Sequence, residues 1–193
     1  IAFETDEIED PPWGVQYIVG SDQHKVGSDD YPHEKLLDLA GKSGAKWARI
    51  TLRWPYVEVE KGRYDWGLLD AGVAGLTRRG VNLFLGTSAS SHPAYQDFPE
   101  GYWYPPTPSP EAMKGYCRYI STMVDRYHDR VRHFEIWNEP NIRNFWRPEP
   151  DPQAYAFLVR EAGRAMRDVD PDIKILAGVL AGVGPERLEF VRP

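Results

Sequence analysis

The segment at residues 134–141 joins a short apolar run to side chains that can do acid–base chemistry. It reads FEIWNEPN, so an apolar strand leads directly into Asn138 and Glu139, and Pro140 ends it. Alternation along a strand predicts that Trp137 and Glu139 point the same way and Asn138 the other way. A carboxylate beside aromatic rings at a strand end loses part of its hydration, which favours the protonated form that a general acid needs. Glu139 is therefore a candidate acid catalyst, and the alternative is a helix-capping or surface carboxylate.

Five apolar runs alternate with amphipathic stretches along the chain, and they predict the strands that position these side chains. The runs are 14–19, 45–52, 81–86, 133–137 and 173–179. Strands that alternate with helices form a parallel sheet with right-handed crossovers. Two architectures then compete, an open doubly wound sheet and a closed TIM (β/α)8 barrel.

The first strand is not followed by a phosphate-binding loop. The turn at 20–24 reads GSDQH and lacks the GxGxxG pattern that a doubly wound nucleotide-binding protein carries there. Polar and aromatic residues instead gather just after the strands, on the edge where barrels build their active sites. We therefore expect an α/β fold of the TIM-barrel type, to which this chain supplies about the first five β/α units.

The composition excludes several other classes of protein. The 193 residues are 41% hydrophobic and 13% aromatic, as in a folded globular protein, and their net charge is −6. An acidic balance disfavours nucleic acids and anionic membranes as partners, and no apolar run approaches the roughly 20 residues that span a bilayer. Cys117 is the only cysteine, which excludes an intrachain disulfide framework and a multi-cysteine metal site.

Several segments together resemble one group of enzymes. The run WNEPN at 137–141 is similar to the fourth-strand signature of the clan A glycoside hydrolases, which are TIM barrels. WARITLRW at 47–54 and VEVEKGRYDW at 57–66 resemble the second strand of that clan and the loop after it. Residues 151–182 most resemble family 39, with family 5 next, and the whole resemblance runs from about 14 to 182.

The resemblance implies roles for three polar residues. Glu139 would be the general acid/base, which protonates the glycosidic oxygen and then deprotonates the incoming water. Asn138 would hydrogen-bond the sugar 2-hydroxyl. Arg49, at the end of the second strand, would orient the nucleophilic carboxylate and hold it ionised. For Arg49, a salt bridge inside the barrel is an alternative that overlaps with this role.

A larger set of side chains near the strand ends could contact a sugar by stacking or hydrogen bonding. These candidates for substrate binding are His92, Trp54, Trp137, Tyr95, Trp103 and Trp146. Packing within the loops is the alternative for each of them. His24, with Asp22 and Asp29, hints at a metal or polar site near the first strand, but we expect neither a metal nor a cofactor.

The mechanism of such enzymes needs a second carboxylate, and the sequence offers no counterpart for it. Retaining glycosidases place two carboxyl groups about 5–5.5 Å apart, and in this clan the nucleophilic Glu follows the seventh strand. Only five runs precede Pro193, so we expect the nucleophile to lie outside this chain. Residues 14–193 would be the N-terminal part of a glycosidase catalytic domain, and 1–13 an N-terminal extension.

This interpretation also predicts the partners of the chain. They would be a carbohydrate substrate and the remaining C-terminal part of the barrel, or a second copy of the fragment paired through its open sheet edges. Two alternatives without turnover are a carbohydrate-binding pseudoenzyme and a half-barrel module that mediates interactions. Secretion would suit an enzyme that acts on polysaccharide.

Overall fold

The computed structural model describes residues 14–18, 33–87, 90–96, 104–177, 179–182, 184 and 189–191. In chain order its elements are β1 (Gly14–Ile18), α1 (His33–Lys42), β2 (Trp47–Thr51), α2 (Trp54–Val57), β3 (Glu58–Glu60), β4 (Arg63–Tyr64), α3 (Gly67–Thr77), β5 (Asn82–Gly86), α4 (Pro110–Tyr127), β6 (His133–Glu135), α5 (Pro152–Arg167), β7 (Lys174–Leu176) and the 3-10 helix η1 (Glu189–Val191). No helix in these ranges is long and apolar enough to cross a membrane.

Five strands form one parallel sheet in the order β1-β2-β5-β6-β7. The order in the sheet follows the order in the chain, so each new strand is added on the same side as the one before. A doubly wound sheet would reverse its direction at a switch point, whereas a barrel adds strands in one direction. The topology therefore favours the barrel over the doubly wound alternative.

Helices α4 and α5 each begin directly after a residue whose side chain caps the first turn. Ser109 Oγ accepts a hydrogen bond from the amide of Ala112 at 3.1 Å, and Asp151 Oδ1 accepts from the amides of Gln153 and Ala154 at 2.9 and 3.0 Å. Proline follows each cap at the first helical position, where no amide proton is needed. The two helices bury apolar stripes that include Tyr116, Tyr119, Ile120, Leu158, Ala162 and Met166.

The two faces of the sheet carry different kinds of side chain. The face under the helices is apolar and buried, and it holds Ala48, Ile50, Leu83, Leu85 and Phe134. The residues that alternate with these point to the opposite, inner face and include Arg49, Phe84 and Glu135. The alternation of the strands thus brings two charged residues to the inner face of the sheet.

The sequence patterns missed the short elements after β2 and overestimated the length of several strands. Helix α2 and the antiparallel pair β3–β4 fill the loop after β2, and Glu58 pairs with Tyr64 in that hairpin. The fourth run ends as a strand at Glu135, two residues before the predicted end, and the fifth is reduced to Lys174–Leu176. Residues 136 and 137 of the fourth run, and 177 and 179 of the fifth, therefore belong to loops.

Candidate active site

A cavity of about 510 Å³ opens on the inner face of the sheet, towards the ends of its strands. Strand residues and the loops after β6 and β7 line it together. The lining residues are Gln16, Arg49, Phe84, Glu135, Asn138, Glu139, Phe145, Leu176 and Val179. Parallel strands bring their C-terminal ends to one edge, which is the edge where TIM barrels build active sites. The two loop residues from the WNEPN run, Asn138 and Glu139, lie at this cavity beside Arg49.

Arg49 and Glu135 form a forked ion pair across β5. Arg49 Nε donates to Glu135 Oε2 at 2.8 Å, and Arg49 Nη2 donates to Glu135 Oε1. The side chains are 14% and 2% exposed, so the pair is largely withdrawn from water. The strand between them carries Gly86 next to Glu135, and a Cβ there would come within 2.7 Å of Thr51 Oγ1. The bare backbone of Gly86 keeps this part of the inner face open.

Arg49 also fixes the orientation of Asn138. Arg49 Nη2 donates to Asn138 Oδ1 at 2.7 Å, in addition to its bond with Glu135. The amide oxygen of Asn138 is therefore engaged, which leaves its NH2 group as the end that can donate to a ligand in the cavity. A chain of contacts thus runs from the buried carboxylate through the guanidinium to the amide.

The backbone around Glu139 departs from strand geometry. Trp137 has φ 66° and Glu139 has φ 47°, so two non-glycine residues adopt the left-handed region. Each such residue costs about 1–3 kcal/mol and persists where neighbouring contacts hold it. The expected alternation is wrong for this reason: Asn138 and Glu139 both line the cavity, while Trp137 is buried against Tyr116 and Trp146.

The partner of Arg49 was not foreseen from the sequence. The resemblance implied a nucleophilic carboxylate from elsewhere in the barrel, but the carboxylate that Arg49 holds within the described residues is Glu135. The structure thus matches the alternative of a salt bridge inside the barrel. A signal was present, because an acidic residue in the middle of an apolar strand is seldom fully buried without a partner.

The structure shows four of the aromatic candidates for sugar binding in packed positions, and their contact with a sugar stays a prediction. Trp54, Tyr95, Trp137 and Trp146 are at most 5% exposed, and they pack beneath the loops rather than at the cavity. Trp54 stacks on Tyr95 and Tyr119 at 5.2 and 5.7 Å, and Trp137 meets Trp146 edge-on at 5.6 Å. The aromatic rings that line the cavity are instead those of Phe84 and Phe145.

His92 is also a loop-packing residue in the structure. It is 5% exposed, its Nε2 bonds the carbonyl oxygen of Glu58 at 2.5 Å, and its Nδ1 accepts from the amide of Ala94 at 3.0 Å. Both ring nitrogens therefore bond the backbone, which matches the alternative of packing within the loop, and the contact with a sugar hydroxyl stays a prediction.

The remaining candidates for sugar or metal binding are not among the described residues. Trp103, and His24 with Asp22 and Asp29, lie outside the described residues. Among the residues that the structure describes, no cluster of three or more His, Cys, Asp or Glu side chains is suited to hold a metal ion.

A second buried carboxylate lies in the loop after β2, away from the cavity. Glu58 is fully buried and accepts hydrogen bonds from Trp54 Nε1 at 2.5 Å, from the amide of Gly62 at 2.6 Å and from the hydroxyl of Tyr95 at 2.5 Å. Burial, with the hydrogen bond to Glu58, raises the pKa of Tyr95 to about 12, so this hydroxyl stays a donor at neutral pH. We call these four residues the Glu58 cluster.

Comparison with known proteins identifies the class as the clan A glycoside hydrolases. Residues 29–136, more than half of the chain, match the profile of glycoside hydrolase family 42, described as beta-galactosidase. The chain therefore belongs to this family. The match ends at Ile136, immediately before the loop that carries Asn138 and Glu139.

Individual relatives support the same class. The chain is 36% identical over 70 residues to a beta-xylosidase of Geobacillus stearothermophilus, a match that covers 35% of this chain and 14% of the relative. A family 39 glycoside hydrolase from Bacteroides cellulosilyticus WH2 superposes with a TM-score of 0.66 at 23% identity, over 86% of this chain and 31% of the other. Endoglucanase Cel5A of Thermotoga maritima gives 0.62 at 19% identity, over 93% and 56%.

These findings confirm the predicted clan and the predicted barrel fold. The chain spans 14% of the curated relative and 31% to 56% of the two solved structures named above. The sequence motifs placed family 39 first, and a family 39 structure is among the similar folds, while the family whose profile matches is family 42.

Proposed function

We propose that this chain forms the part of a retaining glycoside hydrolase that carries the general acid/base, Glu139. The enzyme would hydrolyse O-glycosidic bonds of an oligo- or polysaccharide by double displacement. The observation that carries the proposal is the convergence of Arg49, Asn138 and Glu139 on one cavity at the C-terminal edge of a barrel sheet. The family description and the curated relative name beta-galactosidase and beta-xylosidase activities, so β-linked sugars are the first substrates to test.

Glu139 would act twice in this reaction. In the first step its carboxyl group gives a proton to the glycosidic oxygen as the bond from that oxygen to the anomeric carbon breaks and the nucleophile bonds the same carbon. In the second step the Glu139 carboxylate takes a proton from water, whose oxygen attacks the anomeric carbon and releases the nucleophile. Both steps need Glu139 at the cavity surface, where it lies.

Arg49 and Asn138 would bind and orient the sugar. Because Asn138 Oδ1 accepts from Arg49, its NH2 group is free to donate to a sugar hydroxyl. We assign this donor to the 2-hydroxyl, a contact that strengthens in the oxocarbenium-like transition state. Glu135 keeps the guanidinium of Arg49 in place by the forked ion pair.

The nucleophile is assigned to a residue outside this chain. Glu135 also lines the cavity, but its side chain is 2% exposed and both its oxygens accept hydrogen bonds from Arg49, so neither oxygen is open to an anomeric carbon. Glu189 lies in η1 and does not line the cavity, and Glu186 lies outside the described residues. A Glu at the end of a further barrel strand would supply the second carboxylate.

A binding module without turnover has less support. That alternative rests on an exposed aromatic platform, and the aromatic candidates within the described residues are buried beneath the loops. The cavity offers a carboxylate, an amide and a guanidinium beside two phenylalanine rings, which suits chemistry better than stacking alone.

The test is Glu139→Gln in the complete protein, assayed on methyl and 2,4-dinitrophenyl β-glycosides of galactose, xylose and glucose. We expect kcat/KM on the methyl glycosides to fall about 10²–10⁴-fold, because their leaving group needs protonation. The same constant on dinitrophenyl glycosides should change little, since that leaving group departs as an anion.

The matched control is Glu149→Gln, in the same loop. Glu149 is exposed and lies 3.4 Å from Arg143, so this variant should hydrolyse both kinds of glycoside at the wild-type rate. Unchanged hydrolysis of the methyl glycosides by Glu139→Gln would remove Glu139 from the mechanism.

A further inference from the structure

The loops that follow β6 and β7 are joined side by side next to Glu139. The amide of Glu139 donates to the carbonyl of Val179 at 2.9 Å. Two residues further on, Asn141 Nδ2 donates to the carbonyl of Ala181 at 3.1 Å, and the amide of Ala181 donates to Asn141 Oδ1 at 2.8 Å. Three hydrogen bonds therefore continue the contact between the two strands into the loops beyond them.

An asparagine at position 141 is suited to hydrogen-bond both backbone groups of Ala181. A primary amide presents one donor and one acceptor side by side, as the edge of a peptide does, so it can satisfy both backbone groups of Ala181 at once. Pro140 has no amide proton and cannot donate to the neighbouring loop. The side chain of Asn141 supplies a donor, which the backbone at 140 lacks, together with an acceptor for the amide of Ala181.

The segment at residues 137–139, just before Asn141, has strained backbone. Trp137 and Glu139 both have positive φ, and residues other than glycine keep such a conformation only where surrounding contacts hold it. On one side, Trp137 Nε1 donates to the carbonyl of Phe145 at 2.9 Å. On the other side, Glu139 is held by Val179, and the Asn141–Ala181 pair fixes the distance between the two loops.

We propose that Asn141 is a positioning residue, whose paired hydrogen bonds with Ala181 hold the left-handed backbone of Glu139 and so aim its carboxyl group at the glycosidic oxygen. The inference rests on the proposed function of Glu139 and adds a residue that does not touch the substrate. Its effect is specific to the step in which the acid acts. Loss of the pair lets the loop after β7 move away, and the backbone of Glu139 loses the partner that holds its amide.

The experiment compares two variants, Asn141→Asp and Asn141→Ala, in the complete protein. Asp keeps the size and the acceptor but removes the donor to Ala181, and Ala removes both. The readout is the ratio of kcat/KM for the methyl β-glycoside to kcat/KM for the 2,4-dinitrophenyl β-glycoside of the same sugar. This ratio does not depend on the folded fraction, because both rates are measured on the same sample.

We expect the ratio to fall in both variants, by up to about 10²-fold, since misplacement of a catalytic group by roughly 1 Å can cost that much. The matched control is Asn144→Asp, which makes the same charge change at an exposed position of the same loop and should leave the ratio unchanged. A lower thermal midpoint with an unchanged ratio in both Asn141 variants would assign Asn141 a purely structural role and overturn the proposal.

Glu139→Gln, measured in the same series, separates this inference from the function on which it rests. If Glu139→Gln lowers the ratio and the Asn141 variants do not, the inference fails while the proposed function stands. If Glu139→Gln leaves the ratio unchanged, Glu139 is not the acid, and both fail.

Discussion

Among the residues that the structure describes, two glutamates are buried, Glu135 and Glu58, and their surroundings differ. Glu135 is 1% exposed and is paired with the cation of Arg49 beside the cavity. Glu58 is 0% exposed and is held by neutral donors, the indole of Trp54, the amide of Gly62 and the hydroxyl of Tyr95. Burial of a carboxylate is costly in both cases unless its oxygens are satisfied, so burial alone does not distinguish a functional residue from a structural one.

The two glutamates differ in the further contacts that their hydrogen-bond donors make. Arg49 contacts Asn138 as well as Glu135, and both Arg49 and Asn138 face the cavity. The side chains that donate to Glu58 pack against each other instead. The ring of Tyr95 stacks on that of Trp54 at 5.2 Å, and the hydroxyl of Tyr95 accepts a hydrogen bond from Arg118 at 2.9 Å. We infer that the Glu135 pair supports the site, whereas the Glu58 cluster joins the loops after β2 and β5 into one packed unit.

The largest effect is expected for Glu135→Gln, which keeps the shape of the side chain and removes its charge. Arg49 would be left as a largely buried cation without its partner, and loss of one member of a buried ion pair costs about 3–5 kcal/mol of unfolding free energy. Turnover should fall in the fraction that folds, because Arg49 no longer holds Asn138. Denaturant unfolding and kcat on a β-glycoside measure the two effects.

Glu149→Gln again serves as the control, since it removes one exposed charge and should change neither quantity. A wild-type kcat in Glu135→Gln would contradict the inference that the Glu135 pair supports the site, because Glu135 would then be as purely structural as Glu58.

Glu58→Gln should destabilise the protein by less and leave kcat unchanged in the folded protein. One carboxylate oxygen is replaced by an NH2 group that faces a donor, which leaves a buried donor unpaired at a cost of about 1–3 kcal/mol. Glu60→Gln, two residues away and exposed beside Arg63, should not shift the unfolding midpoint measurably. A loss of kcat in Glu58→Gln without loss of stability would mean that this cluster also acts on the site.

The sequence predicted the strands, and the place of Glu139 near their ends, better than it predicted side-chain surroundings. Apolar runs locate the five barrel strands, since period and composition are local properties. The orientation of Asn138 and Trp137 could not be predicted, because left-handed backbone at Trp137 and Glu139 interrupts the alternation. The partner of Arg49 lies 86 positions along the chain, and no local pattern connects the two residues.

The surroundings of the aromatic candidates could not be predicted for a related reason. A tryptophan near a strand end has the same local sequence whether its ring faces a ligand or packs under a loop. Trp54 is buried because α4 brings Tyr116 and Tyr119 against it, and that packing is a tertiary event. Phe84 faces the cavity for the opposite reason, since alternation along β5 turns it away from the helices.

A third carboxylate tests whether an arginine–carboxylate pair by itself indicates a functional site. Asp170 precedes β7, at the opposite edge of the sheet from the cavity. Arg132 Nη1 donates to its Oδ2 at 2.6 Å, the amide of Asp172 donates to Oδ1 at 2.9 Å, and His128 Nδ1 lies 2.9 Å from Oδ2. These contacts, with Arg132 first, hold the pKa of Asp170 well below its usual range.

We expect Asp170→Asn to give the smallest effect, a loss of stability at pH 7 without loss of kcat. A carboxyl group whose pKa is lowered in the folded state stabilises the protein above its unfolded pKa, about 3.9 for Asp. That stability is lost as the pH falls further, through the lower pKa of the folded state. The denaturant midpoints of wild type and variant should therefore differ equally at pH 7 and pH 5 and converge below about pH 3.9.

Asp129→Asn, at an exposed neighbouring carboxylate, controls for the lost charge. A difference that persists unchanged at low pH would mean that packing, not ionisation, stabilises Asp170. A fall in kcat would mean that this distant pair also acts on the site.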